Sequence, residues 1–203
     1  MVTTLPDNVL EKPGIKSIHE RTITFENSEE VCIDNIIFCT GYKFSFPFLS
    51  DDCSLNITDF RITPLYKHII DVKQPTLAII GLPSIIIPFM AFHYQILFVL
   101  AAWEGTLTLP DEDTMLQDVE QDYQLRLSVG YQPHLAHYMY ELQWDYYATL
   151  INLAGQEPLP IVKREMYDRT MRIRKTDLIH AKNFNFEIKS KTNFTEHALS
   201  VLQ

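Results

Sequence analysis

Glycine is scarce in this chain: there are six, at positions 14, 41, 81, 105, 130 and 155, and no two lie within twenty residues of each other. A dinucleotide-binding turn needs closely spaced glycines, because its backbone must approach a pyrophosphate at a helix N-terminus. No GxGxxG can be written from these positions, nor any substitute with two neighbouring glycines. The same spacing excludes a Gly-x-Ser-x-Gly nucleophile elbow. Cysteine is scarce too. Cys32, Cys39 and Cys53 form no CxxC pair and no zinc-ligand spacing, and a disulfide framework would use more of them. Reduced thiols and a cytoplasmic location are the expectation.

Basic charge is in deficit, with 17 Lys and Arg against 26 Asp and Glu and a net charge of −9. That balance argues against a nucleic-acid partner, since no surplus of cations is available to neutralise phosphates. Long apolar runs are missing as well. The longest, Ile85 to Trp103, is interrupted by Pro88, His93 and Gln95. A spanning helix wants roughly 20 predominantly apolar residues, so this stretch reads as a core helix. The end from Lys189 to Gln203 is too polar for an anchor, and Met1 to Pro6 carries no signal pattern. The sequons at Asn56 and Asn193 are then chance matches. His134 and His137 lie three apart without a carboxylate-histidine companion, so no metal is expected. His93, at the start of an apolar helix, is expected as a hydrogen-bonded core histidine.

What remains is a globular composition, 46% apolar and 12% aromatic, enough for a core. Short strand candidates at Ile15–Ile18, Thr22–Phe25 and Val31–Ile33 form a β-meander. It leads into Asn35–Phe38, a β-branched run that suits a buried parallel strand. Cys39, Thr40 and Gly41 stop that run. Small residues at a strand's carboxyl end let backbone pass close to a ligand, and glycine permits the sharp exit. Asp51–Ile57 reads as loop. Thr76–Ile80 is a second parallel-strand candidate, ended by Gly81 and Pro83.

A helix is expected from about Ala91 to Glu104, apolar nearly all round and so buried, with Gly105 as its stop. A second starts at Leu109-Pro110-Asp111 with an acidic first turn. Its stripe is Met115, Val119, Tyr123 and Leu127, and Gly130 ends it. A third is expected from about His134 to Leu153, with Met139, Leu142, Tyr146 and Leu150 as its stripe. Val162–Thr176 carries six cations with Glu165 and Asp168 interspersed, the pattern of a solvated helix face. Beyond Ile179 an irregular tail is expected.

The order Asp34, two Ile, a small residue, Thr40-Gly41-Tyr42 and Phe46-Pro47-Phe48-Leu49 resembles the strand-end Ala-Thr-Gly-Tyr segment of flavin-containing monooxygenases, with Cys39 in place of the usual Ala. The resemblance continues through Leu65-Tyr66-Lys67-His68, Gln74-Pro75-Thr76-Leu77 to Gly81-Leu82-Pro83, and then Pro88-Phe89 and Gln95. Leu97 stands where that family usually has a basic residue, which puts a polar contact from this turn in doubt.

The resemblance implies an α/β fold: the C-terminal portion of a Rossmann-type flavoprotein with two dinucleotide-binding domains, in which a β-meander and parallel strands precede a helical region. Residues 1–105 would be the last part of the FAD/NADPH-binding region, 106–178 a helical region and 179–203 a tail. It implies FAD and NADPH as cofactors, although both glycine-rich fingerprints would have to precede Met1. Thr40, Gly41, Gly81, Leu82, Pro83 and Gln95 become candidate cofactor-binding residues, with Pro88 and Phe89 weaker candidates, and no catalytic residue is assigned.

The implied activity is NADPH- and oxygen-dependent oxygenation of amine or sulfide substrates through a flavin C4a-hydroperoxide, of the N,N-dimethylaniline monooxygenase type. The chain alone is expected to be a fragment or truncated relative without activity. The alternative is a non-catalytic relative whose helices, Asp111 to Leu153, assemble with a full-length flavoprotein as a homo- or hetero-oligomer.

Overall fold

The computed structural model describes residues 5–50, 53–58, 60–178 and 181–198. They fall into two compact units, 42–159 on the one hand and the two chain ends, 1–41 with 160–203, on the other.

The terminal unit begins with the expected meander. β1 (Ile15–His19), β2 (Thr22–Phe25) and β3 (Glu30–Cys32) pair antiparallel in sequence order. Alternation on β2 turns Ile23 and Phe25 inward, the period-2 signal of a one-sided sheet. The run that follows departs from expectation. Asn35–Phe38 forms no strand, and Ile37 and Phe38 are 85% and 80% exposed. A strand is held by its ladder, and this run has no ladder partner among the described residues.

The same unit contains α4 (Ile161–Thr176), capped by Pro160 and buried only at Val162 and Ile173, so the expected solvated helix is present. The expected irregular tail is instead a hairpin of β8 (Phe184–Ser190) and β9 (Asn193–Ala198). Phe186 packs edge-on to Phe194 across it, and Arg169 of α4 grips Glu196 with two hydrogen bonds of 2.6 and 2.9 Å. Cross-strand pairs of this kind, absent from any local pattern count, stabilise a hairpin. Positions 179, 180 and 199–203 of that tail, and 51, 52 of the expected loop, lie outside the described residues; the loop's end, Asn56–Ile57, is strand β4.

In the central unit the strands are short and antiparallel. β4 pairs with β5 (Ile62–Thr63), and β6 (Leu65–Tyr66) pairs with β7 (Ile70–Asp71). Thr76–Ile80 does not become a parallel strand. It folds back along β7, with one antiparallel bridge between Ile70 and Ala78 and backbone bonds from Ile79 to Ile69 and from Asp71 to Leu77. The nearest ladder lies a few residues upstream, and closing so short a loop costs little. Leu55, Ile62, Leu65 and Leu82 form a buried cluster, with Phe44, Phe46, Leu49 and Leu77 packed on it.

Three helices complete this unit. α1 (Pro88–Trp103) starts with proline at its first position, where the missing N–H is not needed. It is buried on one side only. Ala91, Tyr94, Gln95, Phe98, Val99 and Ala101 face inward, while Phe89, Ile96, Leu100 and Trp103 are exposed. An apolar composition all round therefore does not mean burial all round here. α2 (Glu112–Ser128) has Asp111 as its N-cap, the carboxylate accepting from Thr114 N–H at 2.8 Å, as the acidic start predicts. α3 is shorter than expected, Gln143–Leu153. The preceding residues make two 3-10 turns, Pro133–Leu135 and Tyr140–Leu142. Their backbone is spent elsewhere: Met139 and Tyr140 donate to the carbonyls of Ser84 and Ile85, and Ser84 donates to His137. Helical bonding cannot use the same groups.

Candidate functional site

Four of the six candidate cofactor residues come together. Gly81 takes a left-handed backbone, φ +87°, and a Cβ there would stand 3.0 Å from the Phe92 ring, so a larger residue would be strained and would have to shift that ring. Its N–H donates to Gln95 Oε1 at 2.9 Å, the Gln95 amide donates to the Tyr146 hydroxyl at 2.8 Å, and that hydroxyl donates to the carbonyl of Lys67 at 2.9 Å. Gln95 has no solvent exposure, so its side chain holds the turn from inside. Leu82 packs into the apolar cluster and Pro83 is buried. Thr40 and Gly41 belong to the other unit. Both are exposed, and a Cβ on Gly41, at φ +85°, would meet nothing within 4 Å.

On either side of the Gly81 turn in sequence, apolar side chains are exposed: Ile80, Ile85 and Phe89 are 39%, 49% and 85% exposed. The backbone between them is clamped. Besides the bonds of Ser84 and Ile85, Ile87 N–H donates to Gln143 Oε1 at 3.1 Å and Tyr147 donates to the Ile87 carbonyl at 3.0 Å. His93, expected in the core, is exposed on the outer face of α1 with its ring against Tyr94. The helical period places position 93 opposite the buried residues 91, 94, 95 and 98.

A second cluster escaped the sequence reading. The turn joining β6 to β7 places Lys67 and His68 at φ +52° and +58°, closed by a bond from Ile69 N–H to the Tyr66 carbonyl. Two consecutive left-handed residues are the signature of a turn that normally carries Asn-Gly, and side chains there cost on the order of 1 kcal/mol each. Both are held in place by their side chains. Lys67 pairs with Asp118, and His68 is enclosed by Asp122, Arg126, His137 and Tyr146.

The protons of this cluster follow from its donors. Ile62 N–H donates to His137 Nε2 at 3.0 Å, so that nitrogen presents its lone pair and neutral His137 carries its proton on Nδ1. It faces His68 Nδ1 at 2.9 Å, which must then be the acceptor. His68 therefore carries its proton on Nε2, 3.0 Å from Asp122 Oδ2. A proton added to either ring would set two N–H groups against each other. Burial and the positive charges nearby hold both rings neutral: His137 is pushed down to about 2, chiefly by burial and then by His68, Arg126 and Arg61. His68 is also lowered, by burial, against the pull of Asp122.

Burial alone would raise Asp122. Hydrogen bonds from His68 and Arg126, with the Arg126 charge, outweigh it and keep the carboxylate ionised. Arg126 is buried, donating to Asp122 at 2.7 Å and to the Tyr138 carbonyl. A cavity of about 220 Å³ opens beside these groups, lined also by Arg61, Leu65, Tyr123 and Asp145. One signal was visible in advance: Asp122 and Arg126 are an i, i+4 pair. Their convergence with residues some sixty positions upstream was not. Of the other histidine pair member, His134 is exposed against Phe60, and no metal-binding group of three or more ligands occurs among the described residues.

Comparison with known proteins agrees with the resemblance. Residues 3–158 match the family model described as flavin-binding monooxygenase-like. Over 143 residues the chain is 36% identical to flavin-containing monooxygenase FMO GS-OX4 of Arabidopsis thaliana, covering 70% of this chain and 31% of that protein. It is 37% identical over 146 residues to FMO GS-OX5 of the same plant, covering 71% and 32%. The chain thus spans about a third of the length of these relatives. The structure of S-allyl-L-cysteine S-oxygenase from Allium sativum superposes with a TM-score of 0.78 at 28% identity, covering 89% of this chain and 44% of that one. That of Tmm from Pelagibacter shares the fold, TM-score 0.73 at 18% identity. The expected α/β fold class is borne out by these superpositions, and with its family model matched over most of its length the chain belongs to the flavin-binding monooxygenase-like family.

Proposed function

We propose that this chain supplies one wall of a flavin site, in a monooxygenase that oxygenates a soft sulfur or nitrogen nucleophile with NADPH and oxygen. The observation that carries the reading is that Ile80, Ile85 and Phe89 are exposed on a stretch whose backbone is clamped at Gly81 and Ile87 by Gln95, Gln143 and Tyr147. A planar aromatic ring fits such a surface, because contact removes apolar area from water without stranding a polar group. The Gly81–Leu82–Pro83 backbone would line its edge. Leu82, Pro83 and Gln95 act from inside, as packing and as a hydrogen-bonded support. Thr40 and Gly41 are proposed as a second close approach of backbone to the cofactor. A glycine-rich pyrophosphate turn does not fit any segment of this sequence, since none has two neighbouring glycines.

When bound, FAD would supply the oxygen chemistry, and this chain's residues would exclude water from one side of it. The structural neighbour that is named an S-oxygenase supports sulfur as the atom attacked. The alternative of an assembly module built on residues 111–153 is not favoured, because Met115, Met139, Tyr146, Tyr147 and Leu150 are turned inward. No helix among the described residues is long and apolar enough to cross a membrane.

The test is fluorescence quenching of riboflavin and of FAD by the 203-residue chain. Similar affinity for both is expected, since the wall contacts the ring alone, with Phe89→Asp weakening each. Absence of quenching, or quenching indifferent to Phe89→Asp and Ile85→Asp, overturns the reading.

A further inference from the structure

We infer that Tyr146 is a positioning residue for the Gly81–Leu82–Pro83 turn, acting through Gln95 and anchored on the strained Lys67–His68 turn. This rests on the reading of the Gly81 turn as part of the flavin wall. Every polar atom in the path has one direction only. Gly81 N–H can only donate, which fixes the Gln95 oxygen toward it and the Gln95 amide nitrogen toward Tyr146. With that donor on its oxygen, the Tyr146 hydroxyl proton is left for the Lys67 carbonyl. Burial raises the Tyr146 hydroxyl well above its ordinary value, so it keeps this proton.

The far end of the chain is not an ordinary carbonyl. It belongs to a residue in left-handed backbone, followed by another, and both are locked through side chains by Asp118, Asp122 and His137. Strain of this kind persists where its surroundings over-determine it, and it clusters at functional sites. The Lys67 carbonyl is thereby aimed at Tyr146 by a turn that cannot relax while the histidine pair is intact. At the near end, the Phe92 ring stands 3.0 Å from the position a Cβ on Gly81 would take. Displacing Tyr146 releases the Gly81 N–H and the Lys67 carbonyl together, although the two are fourteen positions apart in sequence and joined by nothing else in this path.

The experiment is amide hydrogen exchange on the whole 203-residue chain, comparing wild type with Tyr146→Phe. The Phe ring keeps the packing and removes only the hydroxyl. The Gly81 amide is expected to exchange at least tenfold faster in the variant, while the Ile62 amide, held by His137, changes less than twofold. Equal acceleration of both amides would mean general loosening, and no change at Gly81 would mean that Phe92 packing alone sets the turn; either result overturns the inference. A second variant, Gln95→Glu, keeps an acceptor for Gly81 but removes the donor to Tyr146. Its Gly81 amide, with the support behind its acceptor gone, is expected to exchange faster as in Tyr146→Phe, while the Ile69 amide, which closes the Lys67–His68 turn and still has Tyr146 on the Lys67 carbonyl, keeps its protection. The reverse pattern would count against the coupling.

Riboflavin quenching by the same proteins separates this inference from the reading beneath it. If wild type does not quench, the flavin wall fails and with it the role assigned to Tyr146, whatever the amides show. If wild type quenches and Tyr146→Phe binds riboflavin severalfold more weakly, with a shifted flavin absorbance, the positioning role stands. Unchanged affinity and spectrum in that variant would leave the turn coupled but not positioned for the ring, and would overturn it.

Discussion

Residues 35–41 and 76–83 are built alike. Each runs through β-branched or aliphatic residues and turns on a glycine with left-handed backbone, φ +85° at Gly41 and +87° at Gly81. Gly81 is backed on one side: Phe92 near it, the Gln95 amide oxygen on its N–H, and Leu82 only 7% exposed in the apolar cluster. Around Gly41 a Cβ would meet nothing, and Ile37 and Phe38 stand in solvent. The difference lies entirely in residues distant in sequence. Phe92, Gln95 and Tyr146 converge on one stretch, and among the described residues nothing comparable converges on the other. A strand-exit pattern is therefore a request for partners, and only tertiary structure answers it.

The largest expected effect concerns what stands behind the Gly81 turn. His137 is depressed to about 2 from an ordinary 6.5, and His68 is lowered as well. A histidine whose folded value lies below its unfolded one is protonated first in the unfolded chain. Stability is then complete above about pH 6.5 and is lost progressively as pH falls toward the folded value, at about 1.4 kcal/mol per unit per proton. The facing groups are Asp118, Asp122 and Arg126 of α2, Arg61 beside β5 and Tyr146 of α3. Asp122, also depressed, adds to the same trend below pH 4. The loss should reach several kcal/mol by pH 3, read from urea midpoints at a series of pH values. His137→Gln retains an acceptor for Ile62 and a donor for His68 without titrating, and should flatten the slope by close to one proton. Parallel curves for the two proteins would remove the histidine pair from the account.

Next is Gln95→Leu. It leaves the Gly81 N–H without its acceptor and the Tyr146 hydroxyl without a donor, at a residue that has no solvent exposure itself. Two stranded buried groups cost about 2–4 kcal/mol together. Leu82→Ala should fall in the same range, about 2–4 kcal/mol, by opening a cavity in the cluster of Leu55, Ile62 and Leu65. Equilibrium denaturation at pH 7.5 checks both. A loss below 1 kcal/mol for Gln95→Leu would mean that water reaches Gly81.

The helices and the meander were legible in the sequence, because caps, glycine stops and alternation are local signals; Gly81 and Gln95 were singled out as candidate cofactor residues, and the structure bonds them to each other. Asp111 and Gly130 mark the ends of α2 as expected. The strands were misread where pairing decided the outcome, as when Thr76–Ile80 turned back along β7. α3 was read too long because the backbone of 137–140 is bonded to Ser84 and Ile85, more than fifty positions away. The buried polar cluster was invisible for the same reason: His68, Asp122, Arg126 and His137 are unremarkable until folding brings them within hydrogen-bond reach. Even the turn at Lys67 and His68 lacks the residues its geometry asks for.

The smallest expected effect tests the other stretch. Phe38→Ser and Ile37→Ser should change stability by no more than about 0.5 kcal/mol, since both side chains are already in water and lose little burial on truncation. Measured at low protein concentration, the contrast with Leu82→Ala is then several-fold, although all three are apolar residues of the same kind of strand exit. Raising the concentration sharpens the comparison. Exposed apolar side chains on an unpaired extended run are a template for association, so Phe38→Ser should reduce light scattering of the wild-type chain while leaving its unfolding midpoint in place. A stability loss above 1 kcal/mol at low concentration would mean that Phe38 is covered in solution. The two stretches would then share their fate as well as their pattern, and the partners of the first would have to be sought within this chain.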